Sequence, residues 1–356
     1  MRIIKQNKYG YLIIGLISLV VLIFYFKSTN TKNNLPSGLS IKSRIFKNEI
    51  LEKQSDFNCL GKIIRVYKYN GFLWYIDAHS QNIYQIDKSG KIVNKLGAAK
   101  GEAPWENSSI WYFDNDDSES SYFVIDKTKN MFKKFSKANQ LEYYYKSNRT
   151  ISNGVKLNGD LFLYTEDTGT DFNFITSDIK SKSNNSSVTI KDLIKKEYGH
   201  FPNKNLDLVF EGNFTRNNNK GAIYYCYKAG LFFYFDDKGG IKYYSKTIDN
   251  FPVPKPISKE LMPGTFEETV EPDVFVNYSA CLDKNNIYIL SNILDQANGK
   301  TRIVDIYNIL DGKYKFSISL PTLSDTQKPT EICIADDNIL TVMYENLTFV
   351  NYKLVL

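Results

Sequence analysis

The chain has 356 residues, with 45 Lys and Arg, 39 Asp and Glu, and only two His. A hydrophobic content of 42% rules out disorder over most of it, and two His exclude His-rich zinc sites and most His-based acid–base schemes. Residues 1–53 carry a net +7 of the total +6, so the remainder sums to −1 and lacks the basic excess of a nucleic-acid binder.

Arg2, Lys5 and Lys8 mark residues 1–8 as a cytoplasmic tail by the positive-inside rule. Residues 9–26 (YGYLIIGLISLVVLIFYF) hold no charge. As a helix they would span roughly 27 Å, close to the hydrocarbon thickness of a bilayer. Tyr9, Tyr11, Tyr25 and Phe26 stand at the ends, where aromatic rings favour the interface. The following KSTNTKN is a poor cleavage site, and no Cys is at hand for lipidation, so the run is read as an uncleaved signal anchor. That places the chain in the inner membrane as a single-pass protein with its body outside the cytoplasm. Residues 27–40 read as a polar linker.

From 63 to 354 short aromatic and β-branched runs alternate with turns. FLWYID is followed by NIYQIDKSG and KIVNKLG; YFVID by MFKKFSKAN and QLEYYY. AIYYCY precedes LFFYFDDKGG and IKYYS; NIYIL precedes RIVDIYNILDG and KYKFSISL. Further strands stand before these sets: KIIRVYKY, SIWYF, LVFEGNF and VFVNYSACL. The unit is four antiparallel strands. Its second strands are centred near Tyr75, Val124, Leu163, Tyr225, Ile289 and Leu340, about every 53 residues. Six such sheets bury both faces only when stacked radially, which predicts an all-β, six-bladed propeller over 41–356. The last run lacks a fourth strand. Residues 41–50 are strand-like and are expected to supply it, closing the ring.

Within the first blades, LGAAKGEAPWE (96–106) follows ID-x-x-G and resembles the G-x-G-P-G-E-type loop of NHL-like propellers. Glu102 matches the loop's Glu, while Ala98 and Ala103 depart from its glycines. The repeats resemble the six-bladed propeller proteins common in Bacteroidetes. The resemblance implies the fold and leaves function open, since propellers serve as binding platforms, lactonases and lyases.

Cys59, Cys226, Cys281 and Cys333 lie in no metal spacing and have apolar neighbours, so buried thiols are expected. Cys281 and Cys333 precede their next strands by equal spacing, which makes them candidates for neighbouring inner strands. DNDDSES begins like a calcium loop at Asp114 but lacks the turn Gly, and reads as an acidic hairpin. No GxSxG, P-loop or HExxH occurs. The expectation is no catalytic residue, no metal and no cofactor.

Propeller topology sends second-to-third-strand loops and blade-to-blade connections to one face. The long segments 97–109, 176–207, 246–273 and 291–301 are read onto that face, and extra loop length on a rigid scaffold marks function. Residues 188–199 carry helical spacing, and 246–273, with five Pro, reads as an extended lid or rim. His79, Gln81, Lys100, Glu102, Trp105 and Glu106 are the candidate ligand-binding residues, since aromatic and charged groups at a channel mouth stack on a sugar or anchor a peptide. His79 and His200 are read as polar surface residues and not as catalysts. Together these features favour a membrane-anchored module binding a protein, peptide or glycan, over a metal-dependent lactonase-like hydrolase or lyase with a site in the central channel.

Overall fold

The structure is a computed structural model that describes residues 44–355 apart from 60, 70, 98, 117–120, 169–170, 199–204, 218–220, 250, 296–300, 324–326 and 335–337. The tail, anchor and linker read from the sequence, and His200, lie outside the described residues. Among the described residues no helix is long and apolar enough to cross a membrane.

Six four-stranded antiparallel sheets follow one another along the chain. Blade one comprises Ile63–Tyr69, Phe72–Asp77, Ile83–Ile86 and Ile92–Leu96. The inner strands of the other blades are Ile110–Asp116, Ile151–Lys156, Gly212–Asn217, Asn277–Leu282 and Pro329–Ile334. Each inner strand lies beside the inner strands of both neighbouring blades, so the ring is closed about a central channel. All six anticipated second strands are present at their expected centres. They carry the core: Ser121–Asp126 and Gly221–Cys226 are buried at every position, because second strands are packed on both faces by adjoining blades.

The outer strands behave differently. Leu141–Lys146 alternates half-buried and exposed residues, and Ile92 and Val93 of blade one are about half exposed. Ser183–Thr189 (SNNSSVT) completes blade three, although the sequence reading places it in a long loop. Its ladder to Phe172–Asp178 holds it there without an apolar face. The helix expected over 188–199 is present as α1 (Ile190–Tyr198). Leu208, Val209 and Phe210, read as part of a strand, belong instead to α2 (Leu206–Phe210). Leu206, Val209 and Phe210 share one helical face and are buried together.

Closure also differs from expectation. The fourth strand of blade six is Leu51–Asn58, paired antiparallel with Thr348–Leu354, and not 41–50. Phe46 instead bridges Ser317 in parallel at the outer edge of blade five. The cause is Arg44. Its guanidinium clamps Asp305 in a two-pronged pair (2.9 and 2.8 Å) and bonds Asp249 as well, with all three side chains removed from solvent. Phe57 of the true closing strand packs on Phe349 and on the Gly90 turn of blade one. Gly90 has φ +83°, and a Cβ there would run into the Phe57 ring.

All four Cys are buried free thiols, and Cys281 and Cys333 stand on neighbouring inner strands. Residues 246–273, read as an extended lid or rim, carry regular structure. Lys255–Met262 and Thr265–Glu271 form a two-stranded hairpin between blades four and five.

Candidate functional site

The connection from blade one to blade two is held by blade two itself. Within it Glu106 N–H donates to the Ala103 carbonyl (2.9 Å), and the Glu106 carboxylate accepts the Ala103 N–H (2.9 Å). Pro104 and Trp105 form the tip of that turn. Lys129 donates to the carbonyls of Gly101 (2.6 Å), Ala103 (2.8 Å) and Glu106 (3.1 Å). Lys133, fully buried, donates to the Glu106 carbonyl, to Asn107 Oδ1 (3.3 Å) and to Asp126 Oδ2 (2.8 Å). Burial lowers the Lys133 pKa, and Asp126 works against that shift. Asp126 also accepts the N–H groups of Ser108 and Ser109, where the loop re-enters the sheet.

Two ammonium groups therefore take the place of a hydrophobic core under this loop. What they hold up is Trp105, 61% exposed. It does not cap the packing between blades. Lys129→Met should remove three charge-assisted hydrogen bonds. We expect amide exchange at residues 101–107 to quicken at least about tenfold while the rest of blade two stays protected. Unchanged exchange would show that Lys129 does not hold the loop.

The six candidate residues divide by environment. His79, Lys100, Glu102 and Trp105 are exposed, and Lys100 Nζ lies 3.5 Å from the His79 carbonyl, so the two loops meet. Gln81 and Glu106 are internal braces. Gln81 is buried with φ +56°, donates to the Ala78 carbonyl (2.7 Å) and accepts the Ile110 N–H. Glu106 spends its carboxylate on the turn. Near the same loop, Trp111 donates to Ser109 Oγ (2.9 Å), and Lys127 Nζ lies 4.7 Å from its ring centre.

A second cluster on the same face was not anticipated. Tyr227 and Lys228 follow the second strand of blade four, and Phe275 precedes the inner strand of blade five. The Phe275 ring is 5.6 Å from Tyr227 and 6.2 Å from Tyr278, and Lys228 Nζ lies 5.7 Å from it. The Arg302 guanidinium stacks 3.7 Å from the Tyr278 ring centre. Phe275 is 42% exposed. The available signal was aromatic residues just beyond strand ends on the long-loop face. It was hidden because VFVNYSACL reads as one uninterrupted strand.

The channel below is filled. Arg65 donates to the Tyr227 hydroxyl (2.9 Å) and stands 4.0 Å from Glu331, which accepts from Ser279 Oγ (3.0 Å). Burial pushes the Glu331 carboxyl up to about 7, against the pull of Arg65. Further along, Arg216 pairs with Asp114 (2.8 Å), which also accepts the Tyr112 hydroxyl (2.8 Å). Asp114 is thus a channel residue facing a guanidinium, and not part of a calcium loop; 117–120 lie outside the described residues. The void that remains is about 40 Å³, room for a few waters and not for a sugar ring.

No protein-family model matches the chain, and no curated protein does. Solved structures do. A member of the DUF4221 family from Bacteroides vulgatus superposes with a TM-score of 0.53 at 10% identity, over 85% of this chain and 97% of that one. An exported protein of Bacteroides fragilis does so at 0.51 and 13% identity, over 84% and 85%. The chain is a six-bladed β-propeller. Virginiamycin B lyase from Staphylococcus aureus also matches, more loosely, at 0.48 and 12% identity over 86% of this chain and 100% of that one. At these identities the two Bacteroides likenesses speak for the propeller alone.

Proposed function

We propose that this propeller is a binding module, anchored through residues 9–26 with its body outside the cytoplasm, that takes a protein, peptide or glycan on its long-loop face. The carrying observation is Trp105, 61% exposed on a turn that Lys129 and Lys133 immobilise. An exposed indole on a rigid turn loses little entropy on binding, so its contact area converts efficiently into affinity. His79, Lys100 and Glu102 surround it with polar groups, and the Tyr227–Phe275–Tyr278 cluster supplies further aromatic surface on the same face. The NHL-like character of the 96–106 loop is part of this reading.

The channel chemistry supports binding over a metal-dependent hydrolase or lyase. Asp114 is paired with the Arg216 guanidinium, which a dication would have to displace. Among the described residues no three His, Cys, Asp or Glu side chains converge.

The test is the full chain in detergent, probed on glycan and peptide arrays, beside Trp105→Ala. The variant should lose the array signal and keep its unfolding free energy within about 0.5 kcal/mol of the parent, as for an exposed side chain. Retained binding would remove Trp105 from the site.

A further inference from the structure

Among the described residues, the hairpin of Lys255–Met262 and Thr265–Glu271 is held in its lower half. Val270 is buried, Pro256 and Ile257 are half-buried, and α2 packs near its foot. Asn205 Nδ2 donates to Glu268 (2.8 Å). Beyond that the strands are exposed on both faces, and a two-stranded ribbon alone is marginal in water. Its turn is well made nonetheless. Pro263 and Gly264 occupy the two loop positions, Gly264 has φ +78°, and its N–H donates to Glu260 (3.1 Å).

What this turn presents is apolar. Leu261, Met262 and Phe266 are 56%, 64% and 59% exposed, and residues 261–266 contain no charge. Three large apolar side chains at the end of a ribbon call for a partner that takes apolar groups from water. The chain outside the described residues says which. The apolar run 9–26 is followed by 27–43, which can reach roughly 60 Å at most when fully extended. That segment leads to Arg44, which is locked to Asp249 in the very connection that carries the hairpin. From its base the ribbon stands about 25 Å tall at 3.4 Å per residue. The tether therefore ends on the same blade-to-blade connection that carries the arm, at Asp249, six residues before the arm begins at Lys255, and the arm is shorter than the tether.

We infer that the hairpin tip, Leu261, Met262 and Phe266, enters the interface of the bilayer that anchors the chain, acting as a second membrane contact that sets the stance of the propeller. The inference rests on the anchored reading above. Glu260, Glu267, Glu268 and Glu271 outnumber Lys255 and Lys259 on the ribbon, so zwitterionic headgroups suit it and anionic ones repel it.

The experiment reconstitutes the full chain into vesicles of phosphatidylcholine and phosphatidylethanolamine, with or without brominated acyl chains. Phe266→Trp adds an indole at the tip, and Ser258→Trp adds one lower on the ribbon. Flotation reports anchoring. The emission added by Phe266→Trp should shift to the blue and be largely quenched by brominated lipid, while that of Ser258→Trp should not. Replacing part of the lipid by phosphatidylglycerol should weaken the quenching. A chain that floats with unquenched Phe266→Trp emission overturns tip insertion and leaves the anchor standing; a tip seated in a protein pocket gives this result. A chain that does not float overturns both.

Discussion

Arg44→Ala is expected to cost about 3–5 kcal/mol of stability, the scale for removing one partner of a buried ion pair. One guanidinium here serves two carboxylates. Asp305 takes two of its hydrogen bonds, and Asp249 a third. Ser317 donates to Asp305 (2.6 Å) and Ser291 to Asp249 (3.1 Å), but hydroxyl groups bring no compensating charge. The Asp249 carboxyl already sits at about 6, because burial and the neighbouring Asp305 oppose its ionisation. Without Arg44 both acids would be stranded at neutral pH. Guanidinium chloride unfolding of Arg44→Ala should therefore show a large fall in midpoint, and Asp305→Asn in that background should recover part of it. If Arg44→Ala changes stability by less than about 1 kcal/mol, the residue is an exposed pair and not a clamp.

Glu331→Gln is expected to stabilise the protein above pH 7 and to flatten its pH profile below. In the fold the carboxyl titrates near 7; in an unfolded chain it would titrate at its ordinary value near 4.5. The native state thus holds the extra proton between those values, so this group's contribution to stability falls as pH rises from about 4.5 to about 7. A shift of that size is on the order of 3 kcal/mol. Above pH 7 the site holds a desolvated carboxylate whose nearest cation, Arg65, is 4.0 Å away. Around it stand Ser279 and the hydroxyls of Tyr67, Tyr225 and Tyr227, with Cys281 on the adjoining strand. Asp249 adds a slope of the same sign up to about 6. The wild-type minus Glu331→Gln difference in urea midpoint, measured from pH 5 to pH 8, isolates the Glu331 contribution. A difference that does not change with pH would mean that Glu331 is ionised throughout, as a member of a sound ion pair with Arg65.

Of the candidate site, the sequence revealed a loop but not its internal division of labour. Pro104 and Trp105 were legible as a constrained aromatic turn. Lys129 and Lys133 were not, because a lysine in the turn three residues past Asp126, or one inside the next strand, reads as surface charge. Only the fold carries both ammonium groups beneath the carbonyls of 101–106. Gln81 and Glu106 looked like ligand contacts for the complementary reason. Gln81 satisfies the Ile110 N–H, a neighbour only after blades one and two are packed, and Glu106 turns back on the Ala103 N–H of its own turn.

By itself the sequence determined the number of blades and the place of each second strand. Those strands are packed from both sides, so each must be a continuous apolar run, and a continuous run is a local signal. The tertiary structure alone decided the outer strands. Ser183–Thr189 and Leu51–Asn58 sit at the solvated rim, where the ladder to one neighbour suffices and no apolar pattern is demanded. That is why 41–50, richer in strand-like residues, looked the better closing strand. A guanidinium drawn between Asp249 and Asp305 holds that segment on blade five, and closure falls to the polar residues that follow.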